Sequence, residues 1–427
     1  MPRNSAAPSK GFFIVVVCGY GGLGTAIELR RKGFDVEVFE AAKKLTTQVG
    51  DVIRISPSAS NLLLESPLPT AEEGFPELYC NRGEVQRVLY EHAISLGIKF
   101  RFGARITKYH EDDEGAGVYV GETLFKADGV IAADGIHSIA RTVVTEREDK
   151  PVSSGYAIYR SWFPLDVLKD DPKTSHYVTS GENSFHVWLG RDIHCMIVTN
   201  QNLNGCVVFC THKDTKESQE SWNVPGNVQE EMELIEGWDK TLRTIIKKIP
   251  ADRLIDWKLM WRDQARKWAS DKGRIVLLGD AAHPHLPSSG TGAVQAFEDT
   301  TTIAAALDII GKGNVPLAFR VFEKRERTSL TMRLGWETRH RWHRTDVEAI
   351  RKNPEIIKMP QPKWMIGHDA EKYAYEKIEE AARSVQEKTP FKSTNTYEGH
   401  VHEEWTIETT IELETDEKSF EYRVKGQ

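Results

Sequence analysis

At 427 residues the chain is long enough to bury a large apolar core and to form two or three structural units. Acidic residues outnumber basic ones, 63 to 56, for a formal net charge of -7 with no basic stripe, which argues against charge-driven binding to nucleic acid or to an anionic membrane. Five scattered cysteines, Cys18, Cys80, Cys195, Cys206 and Cys210, fit reduced thiols of a cytoplasmic enzyme better than a disulfide framework.

The first apolar run, FFIVVVC, is too short to span a membrane and leads into a glycine loop, so neither a signal peptide nor an anchor is expected. Ile14–Cys18 reads as a buried parallel strand, Thr25–Lys32 as a helix ending at Gly33, and Val36–Phe39 as the next strand, together one β-α-β unit. Gly83–Leu96 has helical spacing, Val118–Val120 and Thr123–Phe125 flank a hairpin turn at Gly121-Glu122, and Asp128–Ala133 is another buried strand ending at Asp134-Gly135. From Tyr156 to Cys210 the pattern changes to short alternating runs, Phe185–Leu189, His194–Thr199 and Cys206–Thr211, as in an antiparallel sheet with Cys206 and Cys210 on one face. Arg274–Leu278 returns to a buried strand and Gly292–Ile310 to a long helix, so the first unit is completed by sequence far downstream. A helix is expected around Ala370–Gln386, with a polar tail after Pro390. The expected organisation is a nucleotide-binding domain in two parts, 11–150 and 263–343, a substrate domain inserted at 151–262, and a helical and polar extension over 344–427.

Gly19, Gly21 and Gly24 fit G-x-G-x-x-G between a strand and a helix, and Glu40 ends the following strand, the setting of a dinucleotide fingerprint. Gly22 competes with them as the glycine that packs helix against sheet. A helix start with free N–H groups attracts a diphosphate, and a carboxylate at the next strand end can accept two ribose hydroxyls.

Two further runs follow in chain order, DGIHSIAR at Asp134–Arg141 and GDAAHPHLPSSGTGAVQAFED at Gly279–Asp299. With the glycine loop they make residues 11–340 resemble the class A FAD-dependent aromatic monooxygenases of the fungal salicylate-hydroxylase-like kind. The resemblance implies an α/β fold: a Rossmann-like FAD-binding domain, discontinuous in sequence, with an inserted, mainly antiparallel-sheet substrate domain. It implies Gly19, Gly21 and Gly22 at the FAD pyrophosphate, Glu40 at the adenosine ribose, Arg82 toward the flavin, Asp280 on the ribityl chain, and Pro287, Gly290, Gly292 and Ala293 along the isoalloxazine ring. Aligned on the family's G-A-G-x-G-G-L, with Gly22 as the packing glycine, the loop is expected to lack two residues, including the central glycine. The segment between Leu64 and Arg82 is also shorter than in relatives, and both shortenings imply weakened FAD affinity. Asp134 and Arg141 are expected to form a structural turn with an internal ion pair. His283 is expected to pack under FAD, and no metal site is expected.

In the inserted sheet, Arg160 and His194 are the candidate catalytic residues, with His186 on the preceding strand as the rival. Val198 stands where many relatives carry a tyrosine four residues after the histidine. The resemblance implies that NAD(P)H visits transiently to reduce FAD and that one atom of O2 is transferred to an electron-rich aromatic small molecule, a phenol of secondary metabolism. Arg160 would stabilise the phenolate and His194 would take its proton. The absence of a second glycine fingerprint fits one stably bound dinucleotide. The alternatives are a flavin-dependent dehydrogenase or epoxidase, or an impaired, non-enzymatic relative with a poor FAD loop.

Overall fold

A computed structural model of the chain describes residues 9–45, 52–55, 78–215, 224–287, 290–323, 326–344, 347–357 and 363–410. The segment expected to be short between Leu64 and Arg82 lies, as far as residue 77, outside the described residues.

The chain opens with β1 (Phe12–Val16), α1 (Tyr20–Arg31) and β2 (Asp35–Glu40), then the antiparallel pair β3 (Val52–Ile55) and β4 (Leu78–Asn81). In α2 (Arg82–Ser95) the Asn81 side chain accepts from the Glu84 N–H and so caps the helix start. β5 (Lys99–Phe102) is followed by β6 (Ile106–Glu111), β7 (Ala116–Val120) and β8 (Thr123–Ala127), an antiparallel meander, and then by β9 (Gly129–Ala132) and α3 (Ile139–Thr145). The inserted unit holds β10 (Val152–Pro164), α4 (His176–Thr179), β11 (Phe185–Gly190), β12 (Ile193–Asn200), β13 (Gly205–Lys213), α5 (Val228–Leu234), α6 (Lys240–Lys247) and β14 (Leu254–Trp261). β15 (Ile275–Leu277), α7 (Gly292–Ile310) and α8 (Val315–Phe322) complete the first unit. The chain continues through α9 (Glu326–Arg344), α10 (Val347–Lys352), α11 (Lys363–Ile366) and α12 (Ala370–Glu387).

Five parallel strands in the order β15-β9-β1-β2-β5 form the nucleotide-binding sheet. Its discontinuity follows from the order: β15 pairs with β9, although the whole inserted unit separates them in sequence. Phe13, Ile14, Val15, Val130, Ile131 and Val276 are almost fully buried, as parallel strands covered on both faces require. The C-terminal extension is part of this unit. Ala374, Ile378 and Ala381 of α12 join the same core, and Lys32 pairs with Glu371 at 2.7 Å.

The second sheet is antiparallel, in the order β11-β12-β13-β10-β14. One face, with Tyr159, Cys195, Ile197, Cys206, Val208 and Cys210, packs on Met232 of α5 and on Leu242, Ile245 and Ile246 of α6. The other face carries His194, Thr211, Ile158 and Arg160. His194 pairs with Thr211, Thr211 with Ile158, and Arg160 lies two residues further along the same strand.

Two features depart from the sequence reading. α9, expected within the second part of the nucleotide-binding domain, is a single 19-residue helix that lies against β11 and β12 of this unit. The tail expected to be polar returns to the molecule: Ile407 and Trp405 pack with Trp261, Leu286 and Trp336, and the Ile407 N–H donates to Asp263 at 2.7 Å.

Candidate functional site

Val17, Cys18 and Gly19 alone join β1 to α1, and this settles the register of the glycine motif. A Cβ on Gly22 would lie 1.9 Å from the Val17 carbonyl oxygen, so Gly22 is where helix and strand backbones meet. Gly19 precedes the helix, and among the described residues nothing lies within 4 Å of a Cβ placed there. Val17 has φ +79, the conformation asked of the first glycine in such a turn. The motif therefore reads Val17-x-Gly19-x-x-Gly22. The expected two-residue deletion is corrected: the turn has full length, and a valine stands at its first glycine position. Gly21 and Gly24 pack instead on the side chains of Leu278 and Thr300, so the Gly19/Gly21/Gly24 match is incidental.

Glu40 anchors this turn. Its carboxylate accepts from Cys18 N–H at 2.9 Å and Ala42 N–H at 2.8 Å, while the Gln86 amide donates to the Cys18 carbonyl at 2.8 Å. Burial, reinforced by the nearby Glu40 charge, pushes the Cys18 thiol up to about 12, so it stays a thiol. Tyr20 begins α1, donates to the Arg82 carbonyl at 2.7 Å and lies under the Arg82 guanidinium at 5.6 Å. Neither α1 nor α7 has a side-chain cap or an acidic residue in its first turn, so both helix starts present N–H groups to an anion.

Asp280 sits in the turn after β15. Its residue surface is open to solvent while protein surrounds the carboxyl closely, as at the floor of a cleft. Desolvation lifts the carboxyl above the usual aspartate range, opposed by His283 and Arg82. His283 is buried and bonds Asp299 at 2.6 Å, and Asp299 also accepts the Gly279 N–H at 2.9 Å, so this histidine braces the turn. Gly290, at φ +61, and Gly292, 3.2 Å from His285 at its would-be Cβ, lead into α7 with Ala293.

The expected ion pair between Asp134 and Arg141 is corrected. Asp134 instead accepts from Ile139 N–H at the start of α3 and from the Tyr109 hydroxyl, and Arg141 pairs with Asp149 at 2.8 Å. Arg262 holds the same Asp149, which ties the end of β14 to the segment after α3. The run DGIHSIAR is a structural joint.

A cleft opens between the two units, lined by Ser154, Tyr156, His194, Thr211, Leu259, Leu286, Pro287 and Arg339. It brings His194 of the sheet to Pro287 of the segment before α7. Arg160 lies on the same sheet face, its guanidinium 5.1 Å from the Trp257 ring, but does not line this cavity. His186 pairs with Ile197, which puts it on the opposite face, bonded to the Tyr177 hydroxyl at 2.6 Å. It is therefore no rival to His194.

α9 supplies what the sequence reading missed. His343 Nε2 lies 2.8 Å from His194 Nδ1, and the Trp342 ring stands edge-on to His194. Burial, then the Arg339 charge, depresses His194 to about 3. Burial, then His194 and Arg339, depresses His343 to about 2. Two neutral imidazoles thus share one proton, and the tautomer of one fixes that of the other. Tyr156 also faces the cavity, and its hydroxyl donates to Asp192 at 3.0 Å. The signal in the sequence is Trp336, Arg339 and His343 at helical spacing within an arginine-rich run.

Residues 72–317 match the FAD binding domain family. The asperlicin C monooxygenase of Petromyces alliaceus is 33% identical over 434 residues, covering 90% of this chain and 92% of its own. The crystal structure of FqzB superposes with a TM-score of 0.80 at 31% identity, over 92% of this chain and 97% of that one. That of CtdE in complex with FAD and substrate 4 does so with a TM-score of 0.80 at 30% identity, over 88% and 100%. With its parallel sheet, its glycine turn and these relatives, the chain belongs to the FAD-dependent monooxygenases, the class A flavoprotein family that its motifs resemble, and FAD is its cofactor.

Proposed function

We propose that the protein hydroxylates an electron-rich, phenolic small molecule of fungal secondary metabolism, with NAD(P)H as transient reductant and O2 as the oxygen source. The observation that carries this reading is the cavity: its walls are polar at His194, Tyr156 and Arg339, apolar at Leu259 and Leu286, and it meets the Asp280–Ala293 region at Pro287. Bound FAD supplies the activation of O2. The residues present fit it, because two uncapped helix starts, an open Gly19 and a cleft carboxylate at Asp280 offer donors and acceptors where a dinucleotide needs them.

In this reading Gly19 and the start of α1 hold the diphosphate, Glu40 takes the adenosine ribose with its remaining lone pairs, and Asp280 takes the ribityl hydroxyls. Arg82, Pro287, Gly290, Gly292 and Ala293 lie toward the ring. Gly21 and Gly22 act by packing. Arg160 and His194 serve the substrate. His194, depressed to about 3, is neutral at working pH and acts by hydrogen-bonding and orienting the phenol oxygen, whose proton leaves to solvent as the ring becomes anionic. Arg160 favours the anion from further along the sheet.

The test is coupling. NAD(P)H consumed, hydrogen peroxide released and hydroxylated product are measured together over a panel of phenols. His194→Ala and Arg160→Ala are expected to keep FAD while diverting most of the reductant to peroxide, whereas Asp280→Ala lowers flavin content itself. Unchanged coupling in both substrate-side variants overturns their role. No product from any aromatic overturns the phenol reading.

A further inference from the structure

We infer that His343 is a positioning residue: its Nε2–H donates to Nδ1 of His194, so that His194 presents Nε2–H to the cleft and the ligand oxygen it meets must accept a hydrogen bond. The inference rests on the reading that this cleft takes the substrate, and deepens it.

Three observations carry it. His343 Nε2 and His194 Nδ1 are 2.8 Å apart, and with both imidazoles held neutral by burial that contact contains one proton. Next, His343 Nδ1 is buried without a hydrogen-bond partner among the described residues. A neutral imidazole carries its proton on one nitrogen only. On Nδ1 it would make a buried N–H aimed at no acceptor, and buried donors without a partner are rarer in folded proteins than under-used acceptors. The proton therefore sits on Nε2, His343 is the donor, and His194 keeps its own proton on Nε2. Finally, that Nε2 makes no hydrogen bond among the described residues, while His194 lines the cleft.

The surroundings hold this arrangement. The Trp342 ring stands edge-on to His194 at 5.1 Å and the Tyr156 ring lies 5.1 Å from His343, which restrains both imidazoles from turning over and exchanging their nitrogens. Asp192, whose charge acts on His343, holds the Tyr156 hydroxyl at 3.0 Å, Lys213 at 2.8 Å and Arg344 at 3.2 Å, and makes no hydrogen bond to Nδ1 of that ring. The hydroxyls of Ser154 and of Thr211, which stands directly opposite His194 on β13, can donate or accept, so they do not set the polarity of the cleft. His194 does. A phenol oxygen or its anion accepts from Nε2–H, whereas an aniline nitrogen, its lone pair drawn into the ring, leaves that donor unpaired.

Nitrogen NMR of the FAD-loaded protein carrying isotope-labelled histidine reads the tautomers at neutral pH with no ligand present, because protonated and bare ring nitrogens resonate far apart. The two residues are assigned by the signals lost in His194→Asn and His343→Gln. Protons are expected on Nε2 of both rings, and a proton on Nδ1 of either overturns the inference. The isosteric fluorescent probes 2-naphthol and 2-naphthylamine then report on the cleft. Wild type should bind the naphthol about tenfold more tightly than the amine. His343→Gln, whose amide can still donate to Nδ1, should keep that preference, and His343→Leu, which frees His194 to take either tautomer, should reduce it to about twofold or less. Arg339 lines the same cleft and is unaltered in every variant, so the change belongs to His194. FAD content is the folding control, and the wild-type nitrogen signals decide if the leucine variant fails to fold. A preference that survives in His343→Leu while both probes bind equally more weakly means that His343 only stabilises the fold, and overturns the inference. Failure of wild type to bind either probe, with the Nε2 protons in place, overturns the phenol reading and leaves the donor assignment standing.

Discussion

Replacing Gly22 with alanine tests the register of the nucleotide turn, and the structure ranks it against its neighbours. The new Cβ would sit 1.9 Å from the Val17 carbonyl oxygen and 3.1 Å from the Val17 carbonyl carbon, both backbone atoms. That backbone has little freedom to retreat. Val17 N–H donates to the Phe39 carbonyl at 2.7 Å, Cys18 N–H to Glu40 at 2.9 Å, and the Cys18 carbonyl is held by Gln86. Overpacking costs about 1–3 kcal/mol where side chains can adjust, and a backbone clash belongs at or above that upper end. Gly24→Ala meets the Thr300 methyl at 2.9 Å, a side-chain contact, and falls about midway in that range. Gly19→Ala meets nothing within 4 Å among the described residues, so it should leave the FAD-free protein within about 0.5 kcal/mol of wild type while weakening FAD binding, because its Cβ fills the approach to the α1 N–H groups. Val17→Gly relieves a positive φ costing about 1–2 kcal/mol, against a glycine entropy penalty of about 0.5–1 kcal/mol, and should not impair FAD binding. Urea unfolding of the FAD-free proteins and flavin fluorescence titration give the two numbers for each variant. A Gly24→Ala variant less stable than Gly22→Ala would refute the argument and restore the Gly19/Gly21/Gly24 register.

Acid should destabilise the protein through the buried histidines: His194 and His285 are depressed to about 3 and His343 to about 2, so the unfolded chain binds protons first as pH falls below 6.5. Each contributes a loss of about 1.4 kcal/mol per pH unit between its unfolded and folded values, and unfolding midpoints of His343→Gln should fall less steeply between pH 6.5 and 5 than those of wild type. Glu231 has the opposite sign, since burial and the nearby Asp256 raise it to about 8 and its carboxyl oxygens have no hydrogen-bond partner among the described residues. Its contribution is complete below 4.5 and fades as pH rises to about 8, so Glu231→Gln should gain stability relative to wild type above pH 7; an equal or larger alkaline loss in the variant would contradict this. Substituting Trp405 and Ile407 together with alanine should strip the apolar cover from Leu286 and Trp336 and raise peroxide released per NAD(P)H without removing FAD, and unchanged coupling would show that the tail only stabilises the fold.

The cofactor side was legible because its signals are local. A strand, a turn and a helix lie within Ile14–Lys32, Glu40 ends the next strand, and the GDAAHP run carries its own turn, so each piece could be read without knowing its neighbours. The register of the turn was misread because glycine was counted as a letter. What the turn requires is a backbone shape, and Val17 adopts that shape at φ +79 without the residue that usually marks it. The two faces of the inserted sheet follow strand alternation once the pairing is known, yet His186 and His194 are eight residues apart, and only the intervening hairpin decides that they face opposite ways. The cavity was beyond sequence reasoning for a different reason. It is assembled from Ser154–Tyr156, His194, Thr211, Leu259, Leu286–Pro287 and Arg339, six separate stretches that no periodicity connects. Arg339 in particular sits in a helix rich in arginine and histidine, whose residue types do not by themselves mark an inward face. Stacking on Trp336 and Tyr156 turns that charge inward, where it helps depress His194. Recognition of the cofactor is therefore written in the order of the chain, whereas the cavity beside His194 depends on how α9 lies across the sheet.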